Sequence, residues 1–249
     1  MAQGGSERRY REPAYETAEP AAMRKLQFEK LKSLLDLTWA RNPFYREHWQ
    51  AAGADPSRIR SIEEFSAMIP VVRKRDFMAD QERDPPFGRR HAYARSLGEP
   101  LMVCTTSGTT GQGVEVHAQT MAEMRRGNSV YGYLFRWAGL KRGDSIFLNW
   151  PITMLGGGRI EFGAIEGYDL TVYPVGNYDV QRKLELMERF KPDSVMGTTS
   201  YLGHLAMVSK SQPPVPGIKC LFGGGEGGGF SWFERLQEQW QAPVFNHFG

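Results

Sequence analysis

The segment best equipped for chemistry is Thr105-Thr-Ser-Gly-Thr-Thr-Gly111. Its hydroxyls can donate to phosphate oxygens, and its glycines lack the Cβ that keeps a phosphate away from backbone N–H groups. It follows Leu101-Met-Val-Cys-Thr105, an apolar run that reads as a strand, so the turn falls at a strand's carboxyl end, where a nucleotide triphosphate fits. It is not a Walker loop, because Gln112, Gly113 and Val114 follow where that loop needs Lys and then Ser or Thr. A Ser/Thr/Gly turn with no ligand stays open as the alternative.

Other chemistries find little support. The five histidines are isolated from one another and read as surface or satisfied core groups, His117 and His204 among them. No Ser-His-Asp arrangement occurs, and the two cysteines, Cys104 and Cys220, sit in short apolar stretches as buried thiols of a reducing compartment. No Cys/His cluster has zinc-ligand spacing. Against 31 basic side chains stand 28 acidic ones, a net charge of +3, with pairs such as Arg89-Arg90 and Arg125-Arg126 read as solvated surface; nucleic acid is not an expected partner. The first residues lack the apolar core of a signal peptide, and no apolar run reaches the ~20 residues a membrane span needs, so no membrane partner is expected and cytoplasmic is the expected location.

The elements that would hold the turn are legible in outline. Residues 1–20, with Pro13 and Pro20, read as a loose polar lead-in. Leu26, Leu31, Leu34, Leu35 and Leu37 lie near helical spacing, predicting an amphipathic helix from about Ala21 to Trp39 that Asn42-Pro43 ends. A second helix is expected over Phe44–Ala52, and a third opening at Ser61 as cap with Glu64 three residues on. Pro70 to Pro100 is charged and proline-broken and reads as mostly loop. Strands follow at Leu101, Ser145, Leu170, Ser194, Ile218 and Pro243, most of them separated by helical segments such as Val180–Phe190. That alternation predicts an α/β fold: a mostly parallel sheet with flanking helices and a helical N-terminal lead. The expected divisions are 1–20, 21–98 and 99–249. Three further segments attract notice: Asn149-Trp-Pro-Ile-Thr-Met-Leu-Gly-Gly-Gly158, Phe222-Gly-Gly-Gly-Glu226 and Phe245-Asn-His-Phe-Gly249.

Thr-Ser-Gly-Thr-Thr-Gly resembles the phosphate loop of the adenylate-forming (acyl- and aryl-CoA synthetase) superfamily. With its surroundings the chain is most similar to the phenylacetate–coenzyme A ligases. Ala40-Arg-Asn-Pro-Phe-Tyr-Arg46, Ile69-Pro70-Val, Lys74-Arg-Asp76, Pro86-Phe-Gly88, Lys191-Pro-Asp193 and Thr199-Ser-Tyr201 continue the likeness in order over roughly residues 25 to 249. The resemblance implies ATP-dependent adenylation of a small carboxylic acid, an aryl acid by likeness alone, followed by transfer to coenzyme A, with Mg2+ as the metal. It assigns Thr106, Ser107, Gly108, Thr109, Thr110 and Gly111 to the ATP phosphates. Gly224, Gly225, Glu226, Asn246, Phe248 and Gly249 would line the nucleotide pocket, and Trp150, Met154 and Gly156 the acid pocket. Met154 reads equally as core filler beside Ile152 and Leu155, and the glycine-rich 223–229 run as an exposed loop without a ligand.

The departures are specific. Gly113 stands where the family's phosphate loop has proline, Val114 replaces a Lys or Thr, and Gly227 replaces the proline of the Gly-Gly-Glu-Pro segment. Phe248-Gly249 begins the aromatic-Gly-x-Thr/Ser-Glu motif, whose magnesium-binding glutamate and whose lysine-bearing lid lie beyond Gly249 in the family. The expectation is therefore an incomplete large N-terminal domain with no metal ligand and no confirmed catalytic residue of its own, inactive in pyrophosphate exchange by itself. The alternatives are a non-catalytic nucleotide- or acid-binding module and one piece of a split ligase with a complementary C-terminal chain as partner.

Overall fold

The computed structural model describes residues 10–106, 108, 111 and 113–247. They divide into two compact units, one from Pro13 to Met124 and one from Arg125 onward that includes the described residues up to Glu12.

In the first unit the chain runs through α1 (Pro13–Glu16), α2 (Pro20–Arg41), α3 (Pro43–Ala51), α4 (Ile62–Met68), α5 (Lys74–Arg83) and α6 (Ala92–Ser96). It then enters β1 (Leu101–Thr105) and β2 (Val116–Thr120). Pro43 opens α3 at its first position, and Asn42 caps it by accepting from the Tyr45 N–H at 3.3 Å. The inward stripe of α2 is Phe28, Leu31, Leu35 and Trp39, which pack with Trp49 and Ile59. Leu34 and Leu37, expected on that stripe, are exposed, since the i, i+3, i+4 steps from Phe28 leave them on the other side. The Pro70–Pro100 stretch, expected as loop, instead carries α5 and α6; its charges cover helix faces, and the prolines fall outside both helices.

β1 also departs from expectation. It pairs with β2 as a two-stranded antiparallel ribbon, Leu101 opposite Thr120 and Thr105 opposite Val116, and is not part of the parallel sheet. β2 reads Val-His-Ala-Gln-Thr, too polar to announce a strand. Pairing with β1 satisfies its backbone.

After α7 (Met121–Asn128) the second unit alternates α8 (Tyr131–Trp137), β3 (Ser145–Leu148), α9 (Gly156–Gly167), β4 (Thr171–Pro174), α10 (Val180–Phe190), β5 (Ser194–Thr198), α11 (Thr199–Val208), β6 (Cys220–Gly224), α12 (Phe230–Trp240) and β7 (Val244–Asn246). The five strands form one parallel sheet in the order β4-β3-β5-β6-β7. β3 and β6 are buried along their full length, the apolar signature of a sheet covered on both faces. Alternate residues divide between two cores. Phe147, Val195 and Leu221 pack under Met187, Leu202, Leu205, Leu236 and Trp240 of α10 to α12. Ile146, Leu148, Met196 and Phe222 pack under Phe135, Ala164 and Ile165 of α8 and α9. Cys220 joins that second core, and burial pushes its thiol up to about 12, while Cys104 is only half-buried; neither is disulfide-bonded.

At the amino ends of the strands, Lys219 reaches Asp144 and Asp193 at 2.9 Å each, and Asp193 accepts from the Ser145 N–H and hydroxyl. Burial disfavours the Asp193 charge, but these hydrogen bonds still bring its carboxyl below the ordinary value. Among the described residues no helix is long and apolar enough to cross a membrane.

Ser61 caps α4 as its sequence promises, accepting from the Glu64 N–H at 3.1 Å. The Glu64 carboxylate returns to the Arg60 N–H at 2.7 Å, not to that of Ser61. Ser61→Ala should cost about 1 kcal/mol. Urea unfolding reads this as a lower midpoint at unchanged slope, and an unmoved midpoint would show the cap to be idle.

Candidate functional site

The glycine turn closes the ribbon of the first unit. Thr106 donates its N–H to the Glu115 carbonyl at 3.0 Å, and its hydroxyl accepts from the Glu115 N–H at 3.1 Å, so this threonine clasps the base of the turn. Gly108 and Gly111 both have positive φ, 69° and 70°, and the Gly111 N–H donates to the Gly108 carbonyl at 3.2 Å. A Cβ on Gly108 would lie 3.0 Å from Val114 Cγ2, in a backbone region that side chains rarely adopt. Ser107, Thr109 and Thr110 lie outside the described residues.

The returning arm of the turn is pinned by α5. Gln81 donates to the Val114 carbonyl at 3.2 Å and accepts from the Val116 N–H at 2.9 Å. Buried Glu115 is ringed by Lys74 at 3.7 Å, Arg90 at 3.9 Å and His117 at 3.2 Å. Arg90 in turn lies 4.4 Å from the Phe77 ring centroid and donates to the Val116 carbonyl at 2.7 Å. Burial, with Arg90 nearby, lowers the His117 pKa, so the imidazole beside Glu115 is neutral at neutral pH.

In the second unit the strand order reverses at β3, with β4 on one side of it and β5 on the other. Such a switch point opens a crevice at the carboxyl ends. A cleft of about 270 Å³ lies there, lined by Asn149, Trp150, Pro151, Gly176, Lys183, Thr198 and Tyr201. The Lys183 ammonium is buried, donates to the Tyr201 hydroxyl at 3.0 Å and the Gly176 carbonyl at 3.3 Å, and sits 4.5 Å from the Tyr201 ring centroid. Burial lowers its pKa, with Asp179 acting the other way. The Asn149 amide donates to the Met196 carbonyl at 3.1 Å, while its Oδ1 is buried and without a partner.

Trp150 also meets a second group of side chains. Its ring stands edge-on to His247, with centroids 5.9 Å apart, and His247 lies 5.5 Å from the Tyr131 ring in the same manner. The imidazole lies so close over Gly224 that a Cβ there would collide with it. Trp150, expected at the acid, and Gly224, expected at the nucleotide, are therefore brought together by a histidine that the sequence had left among isolated ones. Both His247 ring nitrogens are buried without a partner, and burial lowers the pKa. The Tyr131 hydroxyl donates to Glu161 Oε1 at 3.1 Å; Oε2 is buried and unpaired. Burial pushes the Glu161 carboxyl up to about 7 in spite of that hydrogen bond.

The remaining expected positions fall as follows. Met154 is exposed, on the loop between β3 and α9, so it is not core filler. Gly156 is the first residue of α9, and two positions on, a Cβ at Gly158 would strike the Trp150 and Pro151 carbonyls. Gly225 follows β6 at φ 71°. Exposed Glu226 is tied to the start of α11, accepting from the Ser200 N–H at 3.0 Å and hydroxyl at 2.8 Å; the Ser200 hydroxyl is foremost in lowering its pKa. Asn246 is exposed, opposite Gly223 in the sheet register. Phe248 and Gly249 lie outside the described residues. Sequence alone left out Tyr131, Glu161, Lys183 and His247, because residues spread over more than a hundred positions meet only through the sheet. The glycine triplet that opens α9 was the one local signal near them.

No family model matches the chain. A phenylacetate–coenzyme A ligase of Thermus thermophilus is 31% identical over 196 residues, covering 78% of this chain and 42% of the relative. One of Pseudomonas putida is 28% identical over 191 residues, covering 77% and 42%. Among solved structures, 2-hydroxyisobutyryl-CoA ligase, in an open conformation with 2-HIB-AMP and CoA, superposes with a TM-score of 0.89 at 29% identity, over 97% of this chain and 56% of that one. Fold and sequence together make the chain a homologue of the adenylate-forming coenzyme A ligases. Its curated relatives are phenylacetate–coenzyme A ligases, and it spans somewhat under half of the length of those it matches.

The Glu161 burial has a measurable consequence. A carboxyl raised from 4.5 to about 7 contributes stability that is complete below pH 4.5 and lost as pH rises through 7. The loss is on the order of 3 kcal/mol. Glu161→Gln should therefore lose less stability than the native chain between pH 5 and pH 8 in urea unfolding, by up to that amount. The opposing contribution of His247 is common to both proteins. Equal losses would show that the carboxyl titrates normally.

Proposed function

We propose that the chain provides nucleotide- and acid-binding parts of an ATP-dependent ligase that adenylates a small carboxylic acid and passes the acyl group to coenzyme A. The observation that carries this is the hydroxyl- and glycine-rich turn of paired strands, with glycines at positive φ, in a homologue of phenylacetate–coenzyme A ligases. What supports a phosphate is that Gly108 and Gly111 hold positive φ with no Cβ beside their backbone. In the first step a carboxylate oxygen bonds to the α-phosphorus of ATP and the bond to the bridging oxygen breaks, releasing pyrophosphate. In the second the coenzyme A sulfur, having lost its proton, bonds to the acyl carbon and AMP leaves. Catalysis of this kind is chiefly positioning and charge stabilisation.

Within that scheme residues 106–111 hold the phosphates. Gly224, Gly225, Glu226, Asn246, Phe248 and Gly249 border the nucleotide, and Trp150, Met154 and Gly156 border the acid. Magnesium would shield the triphosphate charge. Among the described residues no group of three or more His, Cys, Asp or Glu is placed to hold it, and no step here is routed through it. An aryl acid is favoured by the names of the curated relatives, while the solved relative with 2-HIB-AMP takes an alkyl acid.

Gly108→Val should reduce ATP affinity at least tenfold in titration calorimetry, with folding checked by circular dichroism. Unchanged affinity in a folded variant would remove the turn from the phosphate site. Met154→Ala should shift the preference between phenylacetate and isobutyrate by about 1–3 kcal/mol, the usual worth of a change in pocket size. Identical preferences would take Met154 out of the pocket.

A further inference from the structure

A lysine is seldom buried, because its ammonium must leave water and usually takes a carboxylate in exchange. Lys183, on α10, is 3% exposed and is the only buried lysine among the described residues. Among those residues no carboxylate pairs with it: its hydrogen bonds go to the Tyr201 hydroxyl at 3.0 Å and the Gly176 carbonyl at 3.3 Å. Asp179, which favours its charge from a distance, is engaged as the cap of α10, accepting from the Arg182 N–H at 2.8 Å.

Two acceptors match a neutral amine and not an ammonium. A neutral amine has two protons, which the Gly176 and Tyr201 oxygens take, and its lone pair stays free. An ammonium has a third proton, for which nothing is provided. The burial that lowers the pKa of Lys183 acts in the same direction. Both partners of the amine line the cleft of about 270 Å³ together with Lys183, so the tip of the side chain, and not only its stem, borders that space. A desolvated amine with a free lone pair is the activated form of a lysine nucleophile.

The electrophile follows from what else borders the cleft. Trp150, expected at the acid, lines it, and Gly176 packs so closely on the Trp150–Pro151 peptide that a Cβ there would collide with it. Only Gly176 therefore stands between the amine and the residue that the proposed reaction sets beside the acyl group. An acyl-adenylate is a mixed anhydride, which an amine attacks at the acyl carbon. The nitrogen–carbon bond forms, the bond from that carbon to the phosphate oxygen breaks, AMP leaves with the electron pair, and the surplus proton passes to solvent. The amide nitrogen keeps one proton for one of its two acceptors, and the acyl chain occupies the cleft.

We propose that Lys183 is a nucleophilic amine that acyl-adenylate converts to an amide, a self-acylation site in the cleft beside Trp150. The donor, though not the reactivity of the amine, rests on the reaction given under Proposed function. Peptide mapping of the full 249-residue chain after exposure to two acyl donors tests both: 4-nitrophenyl acetate, which needs no acid or nucleotide site, and synthetic phenylacetyl adenylate. Each should acylate Lys183 at least tenfold faster than exposed Lys25, Lys141 and Lys210. Between pH 9 and pH 7 its rate should fall less than theirs, as burial lowers its pKa. Lys183→Arg should lose that label alone. A rate with the ester no greater than that of the exposed lysines overturns the nucleophile, whatever becomes of the proposed reaction. Fast labelling by the ester without labelling by the adenylate overturns the adenylate as donor. Calorimetry then shows whether the adenylate binds, which leaves the acid site standing, or does not, which removes that site as well.

Discussion

Burying one parallel sheet on both faces is the constraint on which the second unit depends. Once β3, β5 and β6 are enclosed by helices, their side chains are committed to two cores, and polar groups can gather only where strands end. The order β4-β3-β5 then separates neighbouring strand ends and leaves a cleft between them. Asn149 marks the exit: its backbone and side-chain amides both donate to the Met196 carbonyl, extending the ladder by one residue before the chain turns away. Gly158, Gly176 and Gly224 make the close approaches beyond it, where a Cβ would strike the Trp150–Pro151 backbone or the His247 ring.

The first unit solves a different problem, the holding of a glycine-rich turn that has little packing of its own. The ribbon supplies two strands, Thr106 ties the base, and α5 contributes Gln81 and Lys74 against the returning arm. Among the described residues the Gly111 N–H bonds back to the Gly108 carbonyl, and the bonds from α5 all fall on the returning arm.

How much of this the sequence disclosed follows from the range of each interaction. The parallel strands were legible because double-sided burial writes continuous apolar runs such as Ser145-Ile-Phe-Leu and Cys220-Leu-Phe. The cap at Ser61 was legible because it acts within three residues, whereas Asn42, read only as a helix stop, also caps α3. β2 was not, since the pairing that stabilises it lies in another strand and its own residues are polar. α5 was not, because proline on either side and a surface of charge mask a ten-residue helix. At the candidate site Trp150, Gly224 and the 106–111 turn stood out by motif. Glu161 carried no motif, and His247 read as one of the isolated histidines, until the sheet brought both to Tyr131.

The satisfied carboxylates make those two the more informative. Glu226 is answered by Ser200, Asp193 by Ser145 and Lys219, and Glu115 by three bases, so each has enough partners to account for its position by structure alone. Glu161 has one hydroxyl for two oxygens. Leaving a buried polar atom unpaired costs about 1–3 kcal/mol, a large fraction of the ~5–15 kcal/mol by which domains are stable. A helix face needing only to pack would do better with leucine at that position, as Ile165 does one turn further along α9 in the same core. Retaining a carboxyl there is costly in the isolated fold, and the raised pKa of Glu161 is the mark of that cost: burial disfavours the charge more than the single Tyr131 hydrogen bond restores it.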